Sequence, residues 1–212
     1  MTSPDLQVSP ELMAAVKDYV KEYMSHYDGS HDFNHILRVV SLARRIQPTL
    51  PNTSLPLVTL CALLHDVGDK KYLKPGEDSS TLIRDKLISL SASPTLADAA
   101  QTICLGVSYS SEIKDPARVQ QLVREYPELA VVQDADRLDA IGAVGVGRCF
   151  AFGAAKGRKL EDSIAHFEEK LIRLEGMMKT DEGRRLAKER TERVKAMMEW
   201  WDEETASVEE DF

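Results

Sequence analysis

Histidines and aspartates fall into two short groups in this chain, and these are residue types that bind divalent metal ions. The first group runs from His31 to His35, and the second begins with His65 and Asp66. The chain has only 5 histidines, so their concentration in these groups is a clear signal. Neutral imidazole and carboxylate together suit Mn, Fe, Zn, Ni or Co. The clustering therefore favours a metal site.

The segment that leads into the second group strengthens this interpretation. Residues 57–64 are apolar on every side, which for a helix predicts burial on most sides. An uncompensated carboxylate at Asp66, directly after such a helix, would be costly, and a divalent cation would compensate it. Adjacent helical residues point about 100° apart, so His65 and Asp66 cannot complete a coordination shell alone. Other helices must contribute ligands.

Two further segments carry candidates for those ligands. His35 begins the apolar face of an amphipathic segment that continues to Ile46. Asp136 lies in residues 131–140, an otherwise apolar helical segment with three aspartates. An exposed acidic stripe is the alternative interpretation of that segment when it is considered alone.

The order of these residues resembles the H…HD…D signature of the HD-domain metal-dependent phosphohydrolases, an all-α superfamily. The similarity extends to three ordered blocks, at residues 30–39, 65–72 and 133–142. Three ordered blocks are far more specific than any one of them. They resemble a bacterial and fungal subfamily whose characterised members are similar to nucleoside triphosphate pyrophosphohydrolases. The resemblance covers roughly residues 15 to 200.

The resemblance implies one divalent metal ion per chain, with Mn expected first and Fe, Ni, Co, Mg or Zn as alternatives. Its ligands would be His35, His65, Asp66 and Asp136. Asp136 is preferred over Asp134 because the Ala-Asp-Arg-Leu of residues 135–138 matches the family's Ala-Asp-x-Leu, although the reverse assignment stays open. HD proteins with more metals recruit extra histidines, and this chain has none between Asp66 and His166.

The activity implied is hydrolysis of a phosphate ester or anhydride in a nucleotide, with a (deoxy)nucleoside triphosphate cut to monophosphate and pyrophosphate as the leading hypothesis. A bound divalent ion lowers the pKa of its water and polarises a phosphoryl oxygen. Asp69 stands where similar enzymes carry an acid/base residue, and a solvated helix-terminal aspartate is the alternative. His31 and Asp134 are expected behind the ligands, completing the predicted catalytic group, and Asp32 is a candidate partner for a ligand imidazole.

Phosphates need cations at fixed places, and several cations lie close in sequence to the predicted ligands. Arg can bind phosphate oxygens with two parallel hydrogen bonds, whereas Lys acts as a point charge. Taken singly, each of them is better explained as an ordinary surface cation. The predicted substrate-binding residues are Arg38, Lys70, Lys71, Arg137 and Lys170. Arg148 is a weaker candidate.

Three other functions compete with this one. A nucleotidase or phosphodiesterase would release phosphate from a monophosphate or open a cyclic nucleotide. A noncatalytic nucleotide-binding protein would need only a degenerate site, and retention of all four predicted ligands argues against it. Iron-dependent oxygenase chemistry on a related fold usually requires two metals and more histidines than are present here.

Composition and periodicity predict the frame that must hold these residues. The 212 residues are 43% hydrophobic and 29% charged, enough for the core of one domain. Apolar residues recur at helical spacing, which predicts a single all-α HD domain of about eight or nine helices with its core at about residues 15–200. Residues 129–152 and 163–178 are each expected to form one helix, and residues 203–212 an acidic tail.

Charge and hydropathy limit the partners. A net charge of -8 argues against binding to a nucleic-acid backbone, but one local cation cluster can still bind a small nucleotide. No apolar run approaches the ~20 residues of a membrane-spanning helix, and the N-terminus lacks a signal-peptide pattern. We therefore expect a cytoplasmic monomer or homodimer without a membrane partner.

Overall fold

The computed structural model describes residues 6–70 and 72–206, and the regular structure within these ranges is helical throughout. Its α-helices are α1 (Pro10–Tyr23), α2 (Phe33–Ile46), α3 (Leu55–Leu64), α4 (Leu82–Ser89), α5 (Pro94–Val107), α6 (Tyr109–Lys114), α7 (Pro116–Glu125), α8 (Glu128–Asp139), α9 (Gly142–Ala155), α10 (Leu160–Glu169) and α11 (Asp181–Thr205). The all-α prediction is confirmed. Short 3₁₀ helices follow α1, α2 and α10.

The described residues contain eleven α-helices, so the predicted number of eight or nine was too low. The short helix α6 was missed, and the helix expected over residues 129–152 is divided into α8 and α9. Gly142 causes this division, because its φ of +73° is a left-handed conformation that favours glycine and interrupts the helix. The break turns α9 away from α8, which places the two helices at 72° to each other.

Two other boundaries differ from the prediction. The helix expected over residues 163–178 is α10 followed by the 3₁₀ helix Leu171–Met177. α11 continues to Thr205, so the first residues of the predicted acidic tail are helical. The rest of that tail, residues 207–212, lies outside the described residues, as does Lys71.

α3 is the buried helix that its composition predicts. The Ser54 hydroxyl accepts a hydrogen bond from the Leu57 amide and caps its start. Seven of its ten residues are buried, and it packs against α1, α2, α5 and α8. The helix ends at Leu64, so His65 and Asp66 emerge from the core together.

The packing of α2 and α8 against α3 and against each other positions the site. α2 starts at a cap formed by Asp32, and its buried face carries His35 and Val39. α8 is buried on nearly all sides, because α5 and α11 also pack against it. The start of α2, the end of α3 and the second half of α8 therefore meet at one point.

The described residues include no single helix that is long and apolar enough to cross a membrane. The bent pair α8 and α9 reaches the required length and hydropathy only when the two helices are counted together. α8 is one of the most buried helices of this fold.

Candidate metal centre

The structure brings the four predicted ligands together where α2, α3 and α8 meet. Nε2 of His35 lies 3.2 Å from Nε2 of His65 and 3.2 Å from Oδ2 of Asp66. Oδ1 of Asp136 lies 3.6 Å from the first of these nitrogens and 3.7 Å from the second. Three of the residues offer ligand atoms that all lie within 4.8 Å of one another, namely His35, His65 and Asp66.

The spacing of these atoms fits a single divalent ion. Nitrogen and oxygen ligands lie about 2.0–2.2 Å from a metal such as zinc, so neighbouring ligand atoms around one ion are about 3.0–3.5 Å apart. The observed separations run from 3.2 to 3.7 Å. Oδ2 of Asp66 is also buried without a hydrogen bond, which is costly unless a cation satisfies it. Both the geometry and the donor chemistry are those of a metal site.

The hydrogen bonds behind the two imidazoles direct their lone pairs into the site. Nδ1 of His65 lies 2.9 Å from the carbonyl oxygen of Ala62, and a carbonyl can only accept, so this nitrogen carries the proton. Nδ1 of His35 lies 2.8 Å from Oδ2 of Asp139 and donates to that carboxylate. Nε2 is therefore the free ligand atom of both rings, as metal-binding histidines require.

The carboxylates make the site strongly attractive to a cation. Burial opposes ionisation of Asp66, but the charge of His65 outweighs it and holds the pKa of the Asp66 carboxyl well below its usual range. Burial likewise opposes charge on His65, yet Asp66 and Asp136 raise the pKa of that imidazole to about 10. Without a metal the site holds a proton, and a divalent cation would take its place.

Asp139 is a functional residue that the sequence analysis missed. Its carboxylate is 1% exposed and accepts from His35, from Arg38 at 2.8 and 3.1 Å, and from Arg148 at 3.2 Å. The signal for it was available, because Asp139 follows Asp136 by three residues and so shares its helix face. Asp32 was expected to serve the imidazole, but it caps α2 by accepting from the His35 backbone amide at 3.0 Å.

The roles of Arg38 and Arg148 change accordingly. Both were proposed to bind phosphate from their positions in the sequence, and both donate to Asp139. Arg148 is 12% exposed and also donates to the Ser30 carbonyl, which leaves it little freedom. Arg38 keeps 35% of its side chain exposed, so it can still meet a substrate at the edge of the site.

Asp134 and Arg137 do not join the cluster, and both predictions for them need correction. The Asp134 carboxylate is fully buried and accepts from the backbone amides of Lys179 and Thr180, at 2.8 Å each, and from the Thr180 hydroxyl at 2.7 Å. Arg137 is 2% exposed and donates to Glu112 and, at 3.0 Å, to the Met177 carbonyl. Residues one or two positions from Asp136 point about 100° or 200° away from it around α8.

His31 lies beside the cluster. Its ring centroid is 6.1 Å from that of His35. Its Nδ1 lies 2.6 Å from the Ser30 hydroxyl and 3.0 Å from the Tyr72 hydroxyl. Asp69 is half-buried on the turn that follows Asp66, and its backbone amide donates to the Asp66 carbonyl at 3.2 Å.

The remaining predicted cations lie at different places. Lys70 is exposed next to Asp69 on the turn that follows the cluster. Lys170 lies beyond α10, with its ammonium group 4.8 Å from the centroid of the Tyr109 ring on α6. Among the predicted substrate-binding residues that the structure describes, two therefore lie beside the cluster. Arg38 is placed there by its contact with Asp139, and Lys70 by its position next to Asp69.

Comparison with known proteins agrees with this geometry. The HD domain family profile matches residues 32–141, which include all four candidate ligands and Asp139. The Bacillus subtilis protein YpgQ is 35% identical over 182 residues, which cover 82% of this chain and 84% of YpgQ.

Solved structures show the same fold. The crystal structure of Bacillus subtilis YpgQ in complex with ADP has a TM-score of 0.74 at 33% identity, and the match covers 93% of this chain and 100% of that one. A Lactobacillus plantarum protein gives a TM-score of 0.80 at 27% identity, covering 95% of this chain and 100% of that one. An HD-superfamily hydrolase from Bacillus thuringiensis gives a TM-score of 0.67 at 27% identity, and the match covers 92% of this chain and 97% of that one.

Proposed function

Because the chain belongs to the HD-domain family, we propose that it is a metal-dependent phosphohydrolase that cuts (deoxy)nucleoside triphosphates to monophosphate and pyrophosphate. The observation that carries the proposal is the convergence of two imidazole lone pairs and two carboxylates on one point. The similarity to an HD-superfamily hydrolase supports hydrolysis. The relative crystallised with ADP supports a nucleotide as the substrate.

The proposed cofactor is one divalent ion per chain, with Mn as the first candidate. The residues that would hold it are His35, His65, Asp66 and Asp136. When bound, such an ion activates water and polarises a phosphoryl oxygen. A single ion is favoured because a second ion would need further carboxylate ligands. Glu112, which lies between Asp66 and Asp136 in sequence, is already paired with Arg137 and Lys179.

The chain's own residues supply orientation and proton transfer in this proposal. Asp139 fixes the ring of His35, and His31 supports the site from the side of the Tyr72 loop. Asp69 is the proposed acid/base residue, because the turn after Asp66 places it beside the cluster and leaves it partly open to solvent. Arg38, Lys70, Lys71 and Lys170 are proposed to bind substrate.

A screen of nucleotides with Mn²⁺, Mg²⁺, Co²⁺ and Ni²⁺ tests the proposal when phosphate and pyrophosphate release are followed separately. We expect pyrophosphate and a monophosphate from triphosphates. Release of phosphate from a monophosphate, or opening of a cyclic nucleotide, would instead favour the nucleotidase or phosphodiesterase alternative. Absence of turnover with every metal would leave a noncatalytic nucleotide-binding protein.

Asp69→Asn sharpens the test of the acid/base role. It should keep the metal and lower kcat by about 10²-fold or more, the usual scale for a lost acid/base group. Asp78→Asn is the matched control, because Asp78 is exposed farther along the same loop and its carboxylate accepts from the amide and hydroxyl of Ser80. If Asp69→Asn loses the metal as well, Asp69 is a ligand and the proposed division of roles is wrong.

A further inference from the structure

Three rings form a wall beside the candidate metal centre, which we call the aromatic wall and define as His31, Tyr72 and Phe152. The His31 ring centroid lies 5.2 Å from that of Tyr72 and 5.7 Å from that of Phe152. The same ring lies 6.1 Å from His35, so the aromatic wall begins one side chain away from the candidate ligands. An extended ligand anchored at the metal centre can reach this wall.

Tyr72 is held firmly in the aromatic wall. Its ring stacks on Tyr27 with centroids 4.2 Å apart. Its hydroxyl donates to Asp28 at 2.9 Å and also lies 3.0 Å from Nδ1 of His31. Burial and the neighbouring Asp28 raise the pKa of Tyr72 above its ordinary value, so its hydroxyl stays protonated and the side chain neutral.

Two cations lie over the faces of these rings. The ammonium group of Lys156 is 5.8 Å from the centroid of Tyr72 and 5.6 Å from that of Phe152. The guanidinium group of Arg158 is 5.6 Å from the centroid of Phe152. Both residues are exposed in the turn between α9 and α10, and their distance in sequence from the HD motifs gave no reason to select them.

The charges of Lys156 and Arg158 have no ion-pair partner among the residues that the structure describes. Within residues 6–70 and 72–206, neither side chain has a carboxylate within 4.0 Å. Arg38, Arg137 and Arg148, by contrast, are each paired with a buried carboxylate. A cation–π contact at an exposed site stabilises by only about 0.5–1 kcal/mol. The rings therefore favour this placement of the two cations only weakly and leave their charge available to an anion.

We propose that Lys156 binds the outer phosphates of a nucleoside triphosphate, with Arg158 as a second contact. This inference rests on the proposed function, in which the candidate metal centre holds the phosphoryl group under attack. Phosphates beyond that group extend away from the ligands, and the aromatic wall leads from His35 to the two cations. Since both ring faces are covered by cations, this side of the site selects phosphate charge rather than a nucleobase.

Lys156→Gln tests the proposal in the metal-loaded protein, with Lys159→Gln as the matched control. Lys159 is exposed in the same turn, and the two substitutions remove the same charge three residues apart. A lost charge-assisted hydrogen bond at an exposed site corresponds to about a tenfold change. We expect Lys156→Gln to raise KM for a triphosphate about tenfold with little change in kcat, and Lys156→Arg to restore most of the affinity.

Binding of inorganic tripolyphosphate, measured by calorimetry, supplies a readout that does not depend on hydrolysis. It should weaken about tenfold in Lys156→Gln and remain within twofold of wild type in Lys159→Gln. Equal effects of the two variants would overturn the role of Lys156 while leaving the proposed function intact. Tripolyphosphate binding that depends on Lys156 in a protein without turnover would support this inference and defeat the proposed function. Absence of binding to the wild type would overturn the inference.

Discussion

The two faces of α8 carry carboxylates in opposite situations. On one face Asp134 accepts three hydrogen bonds from Lys179 and Thr180, and Arg137 is paired with Glu112. We call this the closed face. On the other face Asp136 meets Nε2 of His35 and Nε2 of His65, and the Nδ1 atoms of both rings donate away from the site.

The two faces differ in whether their carboxylate oxygens and imidazole nitrogens have hydrogen-bond donors within the protein. Each oxygen of Asp134 has a donor, so this carboxylate holds the start of α11 and has no oxygen left for a cation. On the metal-centre face, Oδ2 of Asp66 is buried without a hydrogen bond, and the Nε2 atoms of His35 and His65 face each other at 3.2 Å. The closed face also has a buried atom without a partner, Nε of Arg137, but this is a single cationic donor. Only the metal-centre face gathers several oxygen and nitrogen acceptors that a cation would satisfy.

Asp66→Ala should have the largest effect on metal binding and hydrolysis. It removes the negatively charged ligand that lies between two imidazoles, so we expect metal content by elemental analysis to fall to background and hydrolysis to be abolished. The fold should survive, because the lost carboxylate satisfies no protein donor at Oδ2. Activity within tenfold of the wild type would contradict the assignment of Asp66.

Glu112→Gln is the control for Asp66→Ala on the closed face. It leaves Arg137 and Lys179 without their carboxylate, which should cost about 3 kcal/mol of stability. Metal content should stay at the wild-type level. Loss of metal in this variant would mean that the two faces are coupled through α8.

Asp136→Asn and Asp134→Asn test the same comparison two residues apart. The first should lose most of its metal with little change in stability. The second should keep its metal and lose about 2–4 kcal/mol of unfolding free energy, because an amide nitrogen would face the donors of Lys179 and Thr180. Thermal denaturation and metal analysis separate the two outcomes, and the reverse pattern would mean that Asp134 is the ligand.

The residues predicted as ligands lie close together in the structure, and the sequence could select them because each belongs to a local motif. His35 follows a helix cap, and His65 and Asp66 follow a buried helix, so their types and spacing were sufficient. The resemblance selected Asp136 over Asp134, and the structure places only Asp136 among the imidazoles. The same reasoning failed for Arg137, because closeness in sequence to a ligand was taken as closeness in space.

Tertiary contacts account for what the sequence could not reveal. Asp139 accepts a hydrogen bond from His35, which is more than a hundred residues away in sequence. The sequence indicates only that Asp139 shares a helix face with Asp136. Lys156 lies over the rings of Tyr72 and Phe152 because Gly142 turns α9 away from α8, and continuous helix was predicted there. Neither contact has a signature within one segment of the chain.

Asp139→Asn should produce a smaller effect on the metal-centre face. The amide can still accept from one partner, but it no longer holds the proton of His35 on Nδ1 as firmly, and Arg38 and Arg148 lose their shared carboxylate. Such outer groups typically contribute 10- to 100-fold in metal affinity or activity, so about tenfold or more is expected. Competition with a fluorescent chelator measures the change in metal affinity. Unchanged affinity would show that His35 needs no orienting partner.

The last prediction changes no residue: it concerns pH and follows from the proton that the metal-free centre holds. Asp66 and Asp136 raise the pKa of His65 from 6.5 to about 10, whereas a metal ligand must be the neutral imidazole. Below that pKa, each ion must displace one proton, so apparent metal affinity should rise by up to about tenfold per pH unit between pH 7 and 9.

Proton release distinguishes this effect from titration on the closed face. A pKa raised on folding stabilises the metal-free protein below pH 6.5, and that contribution disappears as pH rises towards 10. Burial lowers the pKa of Lys179, so its contribution to stability changes in the opposite direction with pH and melting curves would mix the two. Metal titrations by calorimetry, in buffers of different ionisation enthalpy, count only protons displaced at the metal centre. We expect about one proton per ion at pH 7 and fewer above pH 10, since His65 is then already neutral. Release of no proton at pH 7 would mean that the carboxylates bind the ion without His65.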